Sequence, residues 1–230
     1  GEVVAQLQAA FERAAADDPD NVEVLAGRVP TFCAGADLEY LSQLQRNTYD
    51  ENVADSRQLA RLFEAIYTLP KVVVARVQGH AIAGGCGLAT VCDFAFAVPE
   101  AKFGYTEVRI GFVPAIVSYF LSRKIGDGKA RELMLTGGLI SAEQAYGYGL
   151  INRVVETAAL DAEIEALADT LVRQNAGQSL AWTKRLLAEL PQMPLAEAMQ
   201  RAAEANAQAR ATDDCRRGIA AFLEKRETEW

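Results

Sequence analysis

Hydrophobic and polar positions alternate along the chain in two distinct periods. Apolar residues recur at helical spacing over residues 3–16 and over "SRQLARLFEAIYTL", which predicts two amphipathic helices, the second ending before Pro70. "KVVVARVQG" and "FAFAV" are nearly continuous apolar runs and predict buried strands, and "NVEVLAG" predicts a short buried strand that ends in Gly27. A further helix, carrying "CGLATVCD", is expected to start in a glycine-rich turn. Alternating strands and helices indicate an α/β fold.

After about residue 128 helical periodicity dominates the pattern. Ser141, followed by Glu143 and Gln144, fits the first turn of one of these helices, because a serine side chain can cap the free amides there. We therefore expect an α/β core over residues 1–155 and a helical C-terminal region over residues 156–230.

Composition favours a globular protein with a full core, since half of the 230 residues are apolar and 23% are charged. The formal net charge of −8 argues against sequence-independent binding of nucleic acid. No run approaches the roughly 18 apolar residues of a membrane span. The acidic, amphipathic N-terminus does not have the pattern of a targeting peptide, so a cytoplasmic location is expected.

The cysteines and the single histidine give little support to metal or nucleophilic chemistry. The four cysteines have no C-x-x-C spacing, and His80 is the only histidine, so no zinc site is expected. Free thiols in a reducing compartment are the expected state. A Ser-His-Asp or Cys-His device would depend on His80, whose place before an apolar run favours a structural role instead.

Two glycine-rich turns follow predicted strands: "FCAGADL" at residues 32–38 and "AGGCGL" at residues 83–88. Each is expected to lead into a helix, where the first backbone amides lack internal partners and can bind a ligand. Two such turns side by side would offer two N–H donors to one oxygen atom, an oxyanion hole. The residues alone also allow simple packing at tight turns, or a dinucleotide site, although G-x-G-x-x-G is not matched at residues 79–88.

Five stretches taken in order resemble the crotonase family, the enoyl-CoA hydratase/isomerase superfamily. They are "FCAGADL", "GHAIAGGCGLATVCDFAFA", "AKFGYTEVRIGFVPA", "ELMLTGGLISAEQAYGYGLINRVV" and "AAFLEKR", and they span nearly the whole chain. The resemblance implies a spiral of ββα units followed by helices that build a homotrimer, often a dimer of trimers. It also implies that the family's first strands have no counterpart in this sequence.

The resemblance implies an acyl-CoA thioester substrate and a site for each end of it. By motif position, the thioester oxygen accepts hydrogen bonds from the backbone amides of Ala36 and Gly84. The adenine of coenzyme A is expected to meet the backbone of the first glycine turn, at Ala34, Asp37 and Leu38.

Phe222 and Lys225 match a Phe and a Lys of the family's last helix. The resemblance implies that they complete the coenzyme A site, often from a neighbouring subunit. On the residues alone, Phe222 and Lys225 fit an ordinary amphipathic helix equally well.

Hydratases of the family hold the reacting water with two glutamates, and this sequence matches only one of them. Glu107, in "FGYTEVRIG", matches the second, whereas Gly87 stands at the position of the first. Burial in an apolar pocket is expected to raise the pKa of Glu107. Tyr105 is a candidate to line the acyl pocket or to bind the water. Glu132 and Asp93 are weaker carboxylate candidates, and Asp93 is expected to cap or pair structurally.

The start of the helix after Pro114 also departs from the family. Ala115, Ile116, Val117, Ser118 and Tyr119 replace the run of glycines that many members have there. Bulkier side chains should narrow the acyl pocket and favour a short or branched acyl group. This resembles the branch that contains methylglutaconyl-CoA hydratases. Cations that could meet a second substrate carboxylate are Arg109 and Arg123.

The sequence therefore predicts a carbon–oxygen lyase that reversibly hydrates a 2-enoyl-CoA and needs no metal or redox cofactor. Glu107 takes a proton from the attacking water, and the two amides stabilise the enolate. Two alternatives remain open. One is an enoyl-CoA isomerase, for which a single carboxylate suffices. The other is an acyl-CoA-binding member of the family without catalysis.

Overall fold

The computed structural model describes residues 2–16, 22–28, 30–228 and 230, and all of their side chains except that of Leu38. Most of this part of the chain is helical. The α-helices are α1 (Glu2–Ala16), α2 (Leu38–Leu44), α3 (Tyr49–Thr68), α4 (Gly84–Val91), α5 (Ala115–Ile125), α6 (Asp127–Thr136), α7 (Ala142–Gly147), α8 (Leu160–Gln174), α9 (Gly177–Glu189), α10 (Leu195–Arg210) and α11 (Asp213–Leu223).

The strands form two small sheets. They are β1 (Val22–Ala26), β2 (Val72–Val77), β3 (Ala81–Ile82), β4 (Phe94–Ala97), β5 (Lys102–Gly104), β6 (Ile140–Ser141) and β7 (Arg153–Val154). One sheet is parallel with the order β1-β2-β4-β7, and the other has the order β3-β5-β6, with β5 and β6 antiparallel. The predicted α/β fold is confirmed.

The core is centred on β2 and β4, which lie between the outer strands of the parallel sheet. Val73, Val74 and Ala75 have no exposed surface, because helices α4, α8 and α9 all contact β2. A strand covered in this way is stabilised by apolar side chains on both of its faces, as the run "KVVVARVQG" predicts. The second glycine turn follows the short strand β3, which comes after β2 along the chain.

The prediction that "NVEVLAG" is a buried strand is wrong about burial. Residues 22–26 do form β1, but β1 is an edge strand that pairs with β2 alone, and Val24 is 48% exposed. An edge strand carries one neighbour instead of two, so a short apolar run does not establish burial. Asn21, the first residue of the predicted stretch, lies outside the described residues.

Local capping explains where two of the helices begin. Thr48 caps α3, and its side chain and that of Glu51 bond each other's backbone amides, so α3 starts within the polar stretch that precedes its apolar face. Ser141 and Gln144 make the same reciprocal bonds at α7, which confirms the helix start predicted there. The boundary between a core and a C-terminal region stays a prediction. No helix among the described residues is long and apolar enough to cross a membrane.

Two lysine side chains that reach the interior fix the ends of the helices around the site. Lys124 of α5 donates to the carbonyl oxygens of Thr90 and Cys92, at 2.9 and 2.8 Å, where α4 ends. Lys184 of α9 donates to the carbonyl of Ile66 at 3.0 Å and to the carboxylate of Asp93 at 2.6 Å. Burial lowers the pKa of both lysines. Hydrogen bonds compensate part of the cost of burying these charges.

Candidate active site

The two glycine-rich turns lie side by side. Cys33 of the first turn pairs with Ala81 in an isolated parallel bridge, in which the Cys33 amide donates to His80 and the Ile82 amide donates to Cys33, at 3.2 and 2.9 Å. A Cβ atom at Gly85 would lie 2.1 Å from the carbonyl oxygen of Cys33, so only glycine permits this approach. The predicted neighbourhood of the two turns is therefore present.

Among the described residues, the backbone amides of Ala36 and Gly84 donate no hydrogen bond to the protein. Gly84 is the first residue of α4, where the amide has no carbonyl of its own helix to bind. The space beside it is open, since a Cβ atom at Gly84 would have its nearest neighbour, the Cα of Gly35, at 4.0 Å. Both donors are thus available to a ligand oxygen.

Ala83 presents the Gly84 amide in a strained backbone conformation. Its φ is 51° and its ψ is −125°, a region that residues with a Cβ atom rarely adopt. Such a conformation costs on the order of 1–3 kcal/mol and persists only where surrounding contacts enforce it. Those contacts are visible: the Ala83 amide donates to Gly104 at 2.8 Å, and the Ala83 carbonyl accepts from Gly87 at 3.0 Å.

Glu107 begins a 3₁₀ turn, Glu107–Ile110, three residues after the end of β5, where Gly104 accepts the hydrogen bond from Ala83. Its side chain is half-buried, and its Oε2 atom is fully covered without any hydrogen-bond partner. Burial raises the pKa of this carboxyl group. An uncompensated buried oxygen costs free energy, so Glu107 has an unmet demand for a proton or for a donor such as water.

The segment that carries Glu107 is attached at the start of α4. Gly104, three residues before Glu107, accepts from the Ala83 amide at 2.8 Å, and Ala83 directly precedes Gly84, the first residue of α4. Burial raises the pKa of the Cys86 thiol on α4 to about 12, and the negative charge of Glu107 adds to this effect. The structure therefore brings the backbone segment of the predicted base to the helix start that carries the Gly84 amide.

Tyr105 does not take either role that was considered for it. The side chain is fully buried, and its hydroxyl oxygen lies 2.6 Å from Oγ1 of Thr90 inside the protein. A hydroxyl group bound in this way is not available to line the acyl pocket or to hold the reacting water. The expectation failed because the sequence does not show to which side of β5 the ring turns.

Gly87 faces the ring of Phe63. A Cβ atom at Gly87 would lie 2.7 Å from Cζ of Phe63 and 3.5 Å from a methyl group of Val117. Phe63 is fully buried on α3. The position of the missing second glutamate is therefore closed by an aromatic side chain, and no other carboxylate takes its place in the described part of the chain.

A cavity of about 360 Å³ lies along α3 and the start of α5. One wall is the face of α3 that continues from Phe63 by way of Ala60, and the other is the start of α5. Its lining residues are Tyr49, Asn52, Val53, Ser56, Arg57, Ala60 and Ile116. The Oδ1 atom of Asn52 is buried there without a hydrogen-bond partner, so this cavity contains an unsatisfied polar group.

The residues predicted to bind coenzyme A fall into two groups. Ala34 and Asp37 are exposed on the first glycine turn, and the Asp37 side chain caps α2 by accepting from the Glu39 amide at 2.9 Å. The backbone of Leu38 starts α2, but its side chain lies outside the described residues.

The second group lies at the end of α11. Phe222 is 83% exposed, and Lys225, also exposed, follows the helix with a φ of 53°. No hydrogen bond or ion pair joins either residue to the first glycine turn within the described structure.

The remaining candidate side chains take part in structural hydrogen bonds and ion pairs. His80 is exposed and accepts a hydrogen bond from the Lys102 amide at 3.3 Å. Asp93 accepts from the Val73 amide at 2.7 Å and pairs with Lys184, as expected for a structural carboxylate. Glu132 is exposed and bonded to Lys129. The described residues contain no group of histidine, cysteine or carboxylate side chains arranged to hold a metal ion.

Phe63 and Ala83 shape the site, but the sequence analysis did not identify either of them. Phe63 lies on the apolar face of a predicted helix, and no sequence signal distinguishes its contact with Gly87 from ordinary packing. Ala83 directly precedes two glycines, and a sharp turn at that point could have been inferred from them.

The chain is similar to known proteins over its whole length. The sequence profile of the enoyl-CoA hydratase/isomerase family matches residues 1–230. A protein of Thermus thermophilus, provisionally named as an enoyl-CoA hydratase, is 45% identical over 225 residues, 98% of this chain and 88% of that protein. The crotonyl-CoA hydratase of Syntrophomonas wolfei is 36% identical over 202 residues, 87% of this chain and 76% of that protein.

Solved structures give the same result. An enoyl-CoA hydratase of Mycobacterium smegmatis superposes with a TM-score of 0.93 at 34% identity, covering 99% of this chain and 87% of that chain. A structure from Streptomyces coelicolor, also titled provisionally as an enoyl-CoA hydratase, has a TM-score of 0.94 at 29% identity and covers 100% of this chain and 84% of that chain. Similarity of this extent includes both glycine turns and the Glu107 segment.

Proposed function

Because the chain belongs to the enoyl-CoA hydratase/isomerase family, a family of enzymes, we propose that it reversibly hydrates a short or branched 2-enoyl-CoA. The observation that carries the proposal is the Glu107 carboxyl group. It has an unpartnered buried oxygen, and the segment that carries it is bonded, through Gly104 and Ala83, to the helix start that carries the Gly84 amide.

The proposed reaction assigns one task to each group. The amides of Ala36 and Gly84 donate to the thioester carbonyl oxygen, whose negative charge grows as the enolate forms. Glu107 takes a proton from a water molecule while that water attacks C3. Glu107 then returns this proton to C2 of the enolate, and the product is a 3-hydroxyacyl-CoA. Fixed amide dipoles need no reorganisation during this step, and losing one such donor costs on the order of 3–4 kcal/mol of barrier.

Binding of coenzyme A is assigned to the residues that the family motif indicates. In this proposal the backbone at Ala34, Asp37 and Leu38 meets the adenine, and Phe222 with Lys225 completes the site. Support comes from the exposure of Phe222, since an apolar ring on the surface gains from a partner. The homotrimer, or dimer of trimers, and the cytoplasmic location stay predictions.

In this proposal a small acyl group occupies the α3 cavity. Ile116 narrows the cavity at the start of α5, and the name of the Syntrophomonas relative indicates a four-carbon acyl group for that enzyme. Neither arginine considered for a second carboxylate is placed in the cavity: Arg123 stacks on Tyr119 at 4.6 Å, and Arg109 packs at Gly137. Arg57 is the arginine that lines the cavity.

A second candidate function is double-bond isomerisation. The observation in its favour is the pair Gly87 and Phe63, because an isomerase can move a proton between C2 and C4 with one carboxylate and no water. A chain that only binds acyl-CoA is the third candidate, since the second glutamate is missing.

Incubation with crotonyl-CoA separates these candidates. Loss of the conjugated absorbance, with formation of 3-hydroxybutyryl-CoA, is expected for hydration, and Glu107→Gln should abolish it. If crotonyl-CoA is unchanged while a 3-enoyl-CoA becomes conjugated, the isomerase assignment replaces the hydratase assignment. If neither substrate reacts, and wild type and Glu107→Gln bind acyl-CoA equally, the chain is a binding protein.

A further inference from the structure

Tyr105 takes part in a buried chain of hydrogen bonds with residues of α4. Its hydroxyl lies 2.6 Å from Oγ1 of Thr90, and Oγ1 of Thr90 donates its only hydrogen to the Cys86 carbonyl at 2.8 Å. Tyr105 must therefore be the donor in its contact with Thr90. The pair is buried, so this bond has no competition from water.

The segment before Glu107 is attached to α4 at two places. Gly104 accepts from the Ala83 amide at 2.8 Å, just before the helix begins, and Tyr105 donates to Thr90 in the second turn of the helix. These bonds hold one short segment against both ends of the helix whose first amide belongs to Gly84. Thr90 is itself fixed, because its carbonyl accepts from Lys124 at 2.9 Å.

The Glu107 carboxyl group accepts a hydrogen bond from its own backbone, and within the described residues no hydrogen bond ties it to another element. The Glu107 carbonyl accepts from the Phe112 amide at 3.0 Å. The place of the carboxyl group therefore depends on the backbone around it. Tyr105, two residues before Glu107, bonds this backbone segment to α4.

We infer that Tyr105 is a positioning residue for the proposed reaction, which holds the Glu107 carboxylate at its working distance from the Gly84 amide through the hydrogen bond to Thr90. The inference rests on the proposed function. Tyr105 itself does not touch the substrate. Loss of its hydroxyl group should therefore lower the rate of the chemical step and leave substrate binding unchanged.

Tyr105→Phe removes the hydroxyl and keeps the ring. With crotonyl-CoA we expect kcat to fall about 10- to 100-fold, the size of effect that a displacement of about 1 Å produces, while KM stays within about twofold. Thr90→Val should cause the same loss, and Tyr105→Phe combined with Thr90→Val should lose no more than either alone. Thr90→Ser keeps the acceptor and should retain wild-type kcat. Tyr148→Phe is the matched control, because it loses a hydroxyl bonded to exposed Glu132 at 2.9 Å.

The outcomes separate the inference from the proposed function. No turnover of any enoyl-CoA by the wild type would remove the proposed function. A wild type that hydrates crotonyl-CoA, together with Tyr105→Phe and Thr90→Val variants whose kcat is unchanged, would overturn the inference alone. The inference would also be overturned if both variants changed KM and thermal stability but left kcat unchanged. If Tyr105→Phe does not fold, the comparison of Thr90→Val with Thr90→Ser decides in the same way.

Discussion

The aromatic ring of Phe63 occupies the space that any side chain at Gly87 would need, with two ring carbons 2.7 and 2.8 Å from the position of a Cβ atom. The family's hydratases have a glutamate at this position. In this chain glycine stands at the position, and the Phe63 ring of α3 packs against it. Gly87 is therefore a requirement of the core as well as a departure from the family motif.

Gly87→Ala should lower the free energy of unfolding by about 1–3 kcal/mol, because the added methyl group overlaps the Phe63 ring in a fully packed region. Urea unfolding measures the change. Gly128→Ala in α6 is the control, since nothing lies within 4 Å of its Cβ position and alanine favours a helix. Equal stability of Gly87→Ala and wild type would contradict the packing described for Phe63.

Glu107→Gln should lower kcat for crotonyl-CoA by about 10²- to 10⁴-fold, the contribution typical of a general base. The base must be deprotonated to act, and burial raises its pKa. The rate of the wild type should therefore fall, as pH decreases, at a higher pH than for an ordinary glutamate. Steady-state rates across pH check both statements. Exposed Glu132→Gln should keep wild-type rates, and equal rates for Glu107→Gln would exclude Glu107 as the base.

The Glu107 carboxyl group should also lower the free energy of unfolding at neutral and higher pH. A carboxyl whose pKa is raised in the folded state binds its proton more tightly there, so the folded state becomes less stable relative to the unfolded state as pH rises through the window between the two pKa values. Glutamine does not titrate. Glu107→Gln should therefore be more stable than wild type at about pH 8 and lose that advantage at about pH 4. Urea unfolding at both pH values tests this, and an advantage confined to acidic pH would reverse the sign.

Lys184→Met should destabilise the fold by about 3–5 kcal/mol, the range for removing one partner of a buried ion pair. The Lys184 side chain is 8% exposed, and its ammonium group donates to Asp93 at 2.6 Å and to the Ile66 and Lys71 carbonyls. Lys129→Met removes an exposed pair with Glu132 and should change stability much less. Thermal or urea unfolding compares the two. Similar effects of both substitutions would show that the Lys184 pair is weak.

Lys225→Ala should weaken binding of coenzyme A about fivefold, which is roughly 1 kcal/mol for an exposed charge, and leave the thermal midpoint unchanged. Calorimetric titration with coenzyme A measures the affinity. The neighbouring Arg226 pairs with Glu224 at 2.6 Å, and Arg226→Ala serves as the control for a lost positive charge at the same helix end. Unchanged affinity in Lys225→Ala would refute its assignment to the site.

Long elements with a regular period could be predicted from the sequence, whereas short ones could not. The repeat of α3 and the apolar run of β2 are visible without tertiary information, because each element is long enough to show its period. Strands β3 and β6 have two residues each, and β5 has three, so they show no pattern at all. Their existence depends on pairing between distant segments.

The candidate site shows the same difference between local and tertiary information. The free amide of Gly84 follows from a glycine turn at a helix start, which is local information. The contact of Phe63 with Gly87, the bond from Tyr105 to Thr90 and the backbone of Ala83 depend on tertiary packing. The roles considered for Tyr105 were wrong for this reason, since the sequence does not show which side of the segment after β5 its ring occupies.

Lys124 has an electrostatic consequence at the opposite end of α4. The peptide dipoles of this eight-residue helix leave partial positive charge at Gly84 and partial negative charge at the carbonyls of its last turn. The ammonium group of Lys124 bonds to those carbonyls and neutralises the negative end. The potential at Gly84 is then more positive than the helix alone would make it. An anion held there is thus stabilised from a distance by a cation on the far side of the helix, outside the cavity walls where contributing groups are usually sought.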